Sequence, residues 1–208
     1  MLSARAAAVA AVAGAVVLTA PTTAFADPDP VPVSEEVQYQ RDRADGKLDP
    51  EHLRHKAEKD AREAALGLDT RPGASIETEP VVIDGTTYYA PSGTLTTRAA
   101  DANNLCAYGW HCLYYNSGHV GANFHRQDTS STIRDYAGYT FPPGLPGGGQ
   151  PVKNNAASVG NASGHYTFGV FYNSDWKGDR AWYAPGDHRN LPDYLKNENA
   201  SGKSFKSW

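Results

Sequence analysis

The chain has 208 residues, a formal charge of −4 and a mean hydropathy of −0.55. Residues 27–70 carry 12 acids against 7 bases and residues 101–208 carry 8 against 9, so no basic face is available to neutralise phosphates and a nucleic-acid partner is not expected. Eighteen of the 22 aromatic residues fall in 101–208, which marks that half as the one able to bury a core.

Residues 1–26 read as a secretory leader, with Arg5, an apolar run over 6–18, and Ala24 and Ala26 before Asp27 as an Ala-x-Ala cleavage site. The run is short for a span of roughly 20 residues. The expectation is an extracellular, secreted protein with no membrane span in its mature form. Residues 27–72 read as a charged helical spacer or pro-region. Asp49 is the expected N-cap, Pro50 the first helical position and Gly67 the stop. Leu53, Ala57, Ala61, Ala64, Ala65 and Leu68 give only a thin Ala stripe, so the expected element is a solvated spacer; the alternative is a helix that docks on the module or a partner. In 73–104, Asp84-Gly85 between two β-rich runs predicts a hairpin over 80–89. A lone hairpin is marginal in water, so it should pack on or extend the next domain. Residues 99–104 read as linker, with the domain boundary there.

From residue 105 onward, short aromatic-rich runs are separated by turn residues and no helical period competes. Strands are expected at 112–115, 121–125, 152–159, 166–172, 180–183 and 204–208, an all-β domain over 105–208. Two segments repeat. Tyr115-Asn116-Ser117 with Gly121 returns as Tyr172-Asn173-Ser174 with Gly178, and each copy leads to an Ala-Ser pair, at 157–158 and 200–201. The first landmarks lie 57 residues apart and the second 43, so the first copy holds 14 extra residues, placed in the Pro/Gly segment 141–151. Cys106 and Cys112 read as a disulfide in an exported chain, since two thiols alone do not complete a zinc shell.

The second copy spaces Phe171, Trp176 and Gly178 as the first spaces Tyr114, His119 and Gly121. This resembles the folded-hairpin signature of βγ-crystallin Greek-key motifs, and implies a βγ-crystallin-like double Greek-key sandwich in which Ser158 and Ser201 hold down their hairpins. Together with the 112–115 and 152–161 runs after a secretory leader, the chain resembles the exported actinobacterial proteins of peptidase inhibitor family I36. That family includes a Streptomyces inhibitor of metalloproteinases with the same fold. The resemblance covers 106–208 and implies a monomeric, non-catalytic inhibitor with an extracellular protease as partner.

An inhibitor needs an exposed segment that enters a cleft nearly preorganised. Segment 141–151 is the candidate, with its prolines, Pro142 among them, for restriction and Phe141 and Leu145 as apolar anchors; its three consecutive glycines argue for flexibility. The calcium motif of the crystallins is approximated twice, by Asn154, Asn155 and Ser158 and by Asn197, Glu198 and Ser201, each copy lacking the last Ser. Calcium is therefore the candidate ion, against a purely structural hydrogen-bonding role; Glu198 is the one acid on offer. No nucleophile motif or metal constellation points to an enzyme, and the histidines match no standard ligand spacing. The alternatives to an inhibitor are a calcium-binding extracellular module and a secreted toxin or cell-wall-binding protein.

Overall fold

The computed structural model describes residues 50–92 and 105–207; the leader, Asp49 and the 99–104 linker lie outside them. Helix α1 covers Pro50–Ala65 of the described residues. It ends in a Schellman turn, in which Leu68 N donates to Glu63 O and Gly67 N to Ala64 O, with Gly67 at φ 73°. The expectation of a solvated spacer is corrected. Ala57, Ala61, Ala64 and Ala65 are exposed, while Lys56, Lys59 and Glu63 are buried against the β domain. The docking stripe is polar, recurring at the three- and four-residue spacing of one helix face, so apolar periodicity does not reveal it.

Strands β1 (Thr78–Ile83) and β2 (Thr86–Pro91) form the expected hairpin, with Asp84 at φ 49° and Gly85 at φ 77° in a tight turn between the paired Ile83 and Thr86. Two consecutive positive φ values match the right-handed twist of the flanking strands, which favours Asp-Gly there. The hairpin extends the domain, because β2 pairs with β3 (Cys106–Ala107) through Tyr88 and Tyr89.

The remaining strands are β4 (Trp110–Tyr114), β5 (Asn123–Gln127), β6 (Ser158–Asn161), β7 (Tyr166–Asn173), β8 (Lys177–Tyr183), β9 (His188–Asn190) and β10 (Ser201–Lys206). One sheet runs β5-β4-β6-β9 and another β10-β7-β8, all antiparallel. The copies exchange a strand: β9 of the second copy pairs with β6 of the first, and Ile133 of the first bridges Gly202 in β10 of the second. This is the topology of two interlocked Greek keys.

Between these sheets lies a core built on Leu113, Phe124, Tyr136, Phe141, Val159 and Phe168. The strand expected at 152–159 is shorter than its sequence suggests. Residues 152–157 run as turns, with Asn154 at φ 61°, and only Ser158 onward joins the ladder. Strand β9 is not foreseen from the sequence because three residues carry too little pattern. The Cys106–Cys112 disulfide, with its Cα atoms 5.9 Å apart, staples β3 to β4.

Candidate functional site

The serine ties of the two folded hairpins repeat atom for atom. In the first, Ser158 Oγ donates to Asn116 O (2.7 Å) and accepts from His119 N (3.1 Å). In the second, Ser201 Oγ donates to Asn173 O (2.6 Å) and accepts from Trp176 N (3.2 Å). His119 and Trp176 sit at φ 59° and 58°, and Gly121 and Gly178 at φ 85° and 70°. A Cβ on Gly178 would lie 2.6 Å from Asn173 Nδ2, so close approach as well as positive φ requires glycine there. Both serine hydroxyls are thus spent on holding hairpins.

Segment 141–151 is a closed loop. Phe141 N donates to Gln150 O, Gly149 N to Phe141 O, Gly148 N to Leu145 O and Gln150 N to Gly147 O. Its glycines serve shape rather than mobility: a Cβ on Gly147 would fall 2.1 Å from Tyr115 Cγ, and one on Gly148 would fall 2.8 Å from Pro142 O. Phe141 is fully buried and anchors the loop from inside, so it offers nothing to a protease cleft. Leu145 is half-buried against the same core, and Pro142 is exposed beside Pro143 and Gly144.

The Asn-rich segments of the two copies face each other across the pseudo-twofold. Asn154 N donates to Asn199 O and Asn197 N to Ala156 O, both at 2.7 Å. Asn199 Oδ1 accepts from Ala156 N and its Nδ2 donates to Val152 O. Into the seam reaches Lys59 from α1. Its ammonium donates to Asn155 O (2.7 Å) and Asn197 Oδ1 (2.6 Å) and lies 3.8 Å from the centre of the Tyr115 ring. Burial pulls the lysine down to about 7, against the raising pull of Glu63. On either side, Lys196 Nζ meets Asp60 Oδ1 (2.7 Å) and Glu63 Oε2 (3.1 Å), and Lys56 Nζ meets Asp193 O (2.5 Å) and Asp193 Oδ1 (3.3 Å).

This geometry tests the calcium reading. Calcium requires six to eight oxygens, preferably anionic. Here Ser158 and Ser201 hold the hairpins, Asn199 holds backbone, and Asn155 O and Asn197 Oδ1 already face an ammonium. These oxygens are engaged while α1 is docked, and among the described residues no cluster of three or more His, Cys, Asp or Glu is placed to hold a metal.

Histidines gather where β2, β6 and β9 meet. His119 stacks on Tyr114 (4.3 Å) and lies edge-on to His188 (5.1 Å), which packs on Tyr89 (5.5 Å). Burial pushes His111 down to about 4, His119 to about 3 and His188 to about 4.

A second exposed feature was not found in the sequence. On the β10-β7-β8 sheet, Trp182 is 45% exposed and Phe205 37%, their rings 5.0 Å apart. Gly169 makes room for the indole, and Lys203 Nζ lies 4.7 Å from both the Trp176 and Phe205 rings. The alternation of Arg180 and Trp182 in β8 was the available signal.

No family model matches the chain and no curated protein matches it. Among solved structures, the chain is similar to one described as "Evolution of the eye lens beta-gamma-crystallin domain fold", at 12% identity and a TM-score of 0.36, over 49% of this chain and 89% of that one. The resemblance to peptidase inhibitor family I36 is therefore not carried further than the fold. What stands is an all-β, βγ-crystallin-like sandwich of two motifs, resting on the strand exchange and the paired serine ties within this chain.

Proposed function

We propose that this is a secreted, non-catalytic binding protein that inhibits an extracellular peptidase through the loop at 142–150. The observation that carries the reading is the closed backbone hydrogen bonding of that loop around buried Phe141, with Pro142, Pro143 and Gly144 exposed. A loop already fixed in shape loses less entropy when it enters a cleft. The test is a titration of the purified protein against a thermolysin-type metalloprotease and a subtilisin-type serine protease, following peptide turnover. Saturable, near-stoichiometric inhibition that the double variant Pro142→Ala/Pro143→Ala weakens at least tenfold is the expected result. Digestion of the protein by both proteases, without inhibition, defeats the reading for these classes.

A second reading, as a cell-wall-binding protein, is favoured by Trp182 and Phe205. Exposed aromatic faces stack on sugar rings, and Lys203 and Arg180 beside them suit an anionic glycan. Retention on insoluble bacterial cell wall that Trp182→Ala abolishes supports it; equal retention of the variant counts against it.

A further inference from the structure

The seat of Lys59 is built from both copies of the repeat at once. Asn155 O belongs to the first Asn-rich segment and Asn197 Oδ1 to the second, and their opposed backbone bonds at Asn154 and Asn197 fix the distance between them. Tyr115 closes the seat. Its ring packs against the Gly147 backbone, which tolerates no Cβ there, and the ammonium lies 3.8 Å from the ring centre. An –NH3+ group has three donors and no acceptor. Two carbonyl-type oxygens and an aromatic face form a neutral complement to those donors, with the ring quadrupole attracting the charge. Neither oxygen is anionic, so the seat suits one compact monovalent cation better than a divalent one.

The seat is also reachable. Clefts of about 340 and 300 Å³ flank Lys59, one toward Pro146 and Gly147, the other toward Pro151 and Asn154. The seam itself is keyed by charge instead of apolar packing: Lys56 to Asp193, Lys196 to Asp60 and Glu63. Contacts of that kind are weakened strongly by loss of a single partner, which leaves a buried charge uncompensated.

We propose that the Asn155–Asn197–Tyr115 seat is a primary-ammonium binding site, filled in cis by Lys59 of α1, that takes a lysine side chain of a partner protein when α1 is displaced. Helix α1 is then an internal ligand, and its departure opens a site at the junction of the two motifs. The inference does not rest on the peptidase reading, because it concerns a different surface and a different ligand chemistry.

The experiment is chemical rescue of the full chain. Lys59→Ala removes the tethered ammonium and leaves the seat. Thermal unfolding is followed in ethylammonium chloride, and in sodium chloride, tetramethylammonium chloride and calcium chloride at matched ionic strength. The variant melts below the wild type, and ethylammonium returns a concentration-dependent part of that loss that sodium and tetramethylammonium do not. The wild type, its seat filled, shows no such selectivity. Equal effects of all the salts overturn the proposal, as does rescue by calcium but not ethylammonium, which identifies a divalent site. Lys59→Met serves in place of the alanine variant should that one fail to fold. A measurement on the unmodified protein stands beside both: at pH 6 the ammonium protons of Lys59 exchange with solvent at least tenfold more slowly than those of exposed Lys177 in side-chain NMR, and equal exchange rates refute an occupied seat.

Discussion

Three buried histidines make the fold acid-labile over a defined window. A histidine whose folded pKa lies below its usual 6.5 stays neutral in the fold while the unfolded chain takes up a proton, so stability is complete above pH 6.5 and is lost as pH falls toward the folded value. Each pH unit below 6.5 at which the folded imidazole stays neutral costs about 1.36 kcal/mol, so His111, His119 and His188 each remove roughly 2–3 kcal/mol by pH 4.5, on the order of 5–10 kcal/mol together. A domain of ordinary stability holds only about 5–15 kcal/mol, so acid unfolding is expected at roughly pH 4–5. Other groups act elsewhere or weakly. Lys59, pulled down to about 7, removes stability as pH falls from 10.5 to that value, above the window. Asp69 and Asp135, held low by hydrogen bonds, lose their contribution only below about pH 4. Asp179, raised to about 6 by desolvation, opposes the trend, and its partial exposure keeps that effect small. The assay is urea unfolding at pH 7.5, 6.5, 5.5 and 4.5. The free energy should fall by up to about 4 kcal/mol per pH unit below 6, and His119→Phe, which keeps a ring against Tyr114, should reduce that slope by about a third. A free energy flat to within about 1 kcal/mol between pH 7 and 5 would refute the reasoning, because it requires these imidazoles to reach solvent.

Ser158→Ala leaves Asn116 O and His119 N unpaired in a buried place and should cost about 2–4 kcal/mol in denaturant unfolding. Ser201→Ala, whose tie is part-buried, should cost less. Reduction of the Cys106–Cys112 bridge frees a loop of only five intervening residues and should lower stability by about 2 kcal/mol, measured by unfolding with and without reductant. Gly202→Ala sets a methyl 2.0 Å from Tyr136 Oη and 3.0 Å from the Phe168 ring, so a loss of about 1–3 kcal/mol is expected from calorimetry; an unchanged melting point would mean the β10 backbone moves freely.

Much of the fold was written in local chemistry. The twice-written Tyr-Asn-Ser…Gly pattern and its Ala-Ser partners specified two folded hairpins and the serines that tie them, because positive φ and short polar side chains are demands that single residues meet. Asp84-Gly85 and Gly67 likewise set a turn and the end of a helix. Phe141 could not be placed from sequence, since an aromatic beside two prolines looks the same whether it faces a cleft or a core; only the packing around Val152 and Leu113 turned it inward. The docking of α1 was equally illegible. Hydropathy scores Lys56, Lys59 and Glu63 as solvent-facing, and their burial depends on Asn155, Asp193, Lys196 and Asn197, about a hundred residues or more along the chain. Sequence determines what a residue can donate, accept or bury; whether it meets its complement is decided by distant segments that only the folded chain brings within hydrogen-bonding reach.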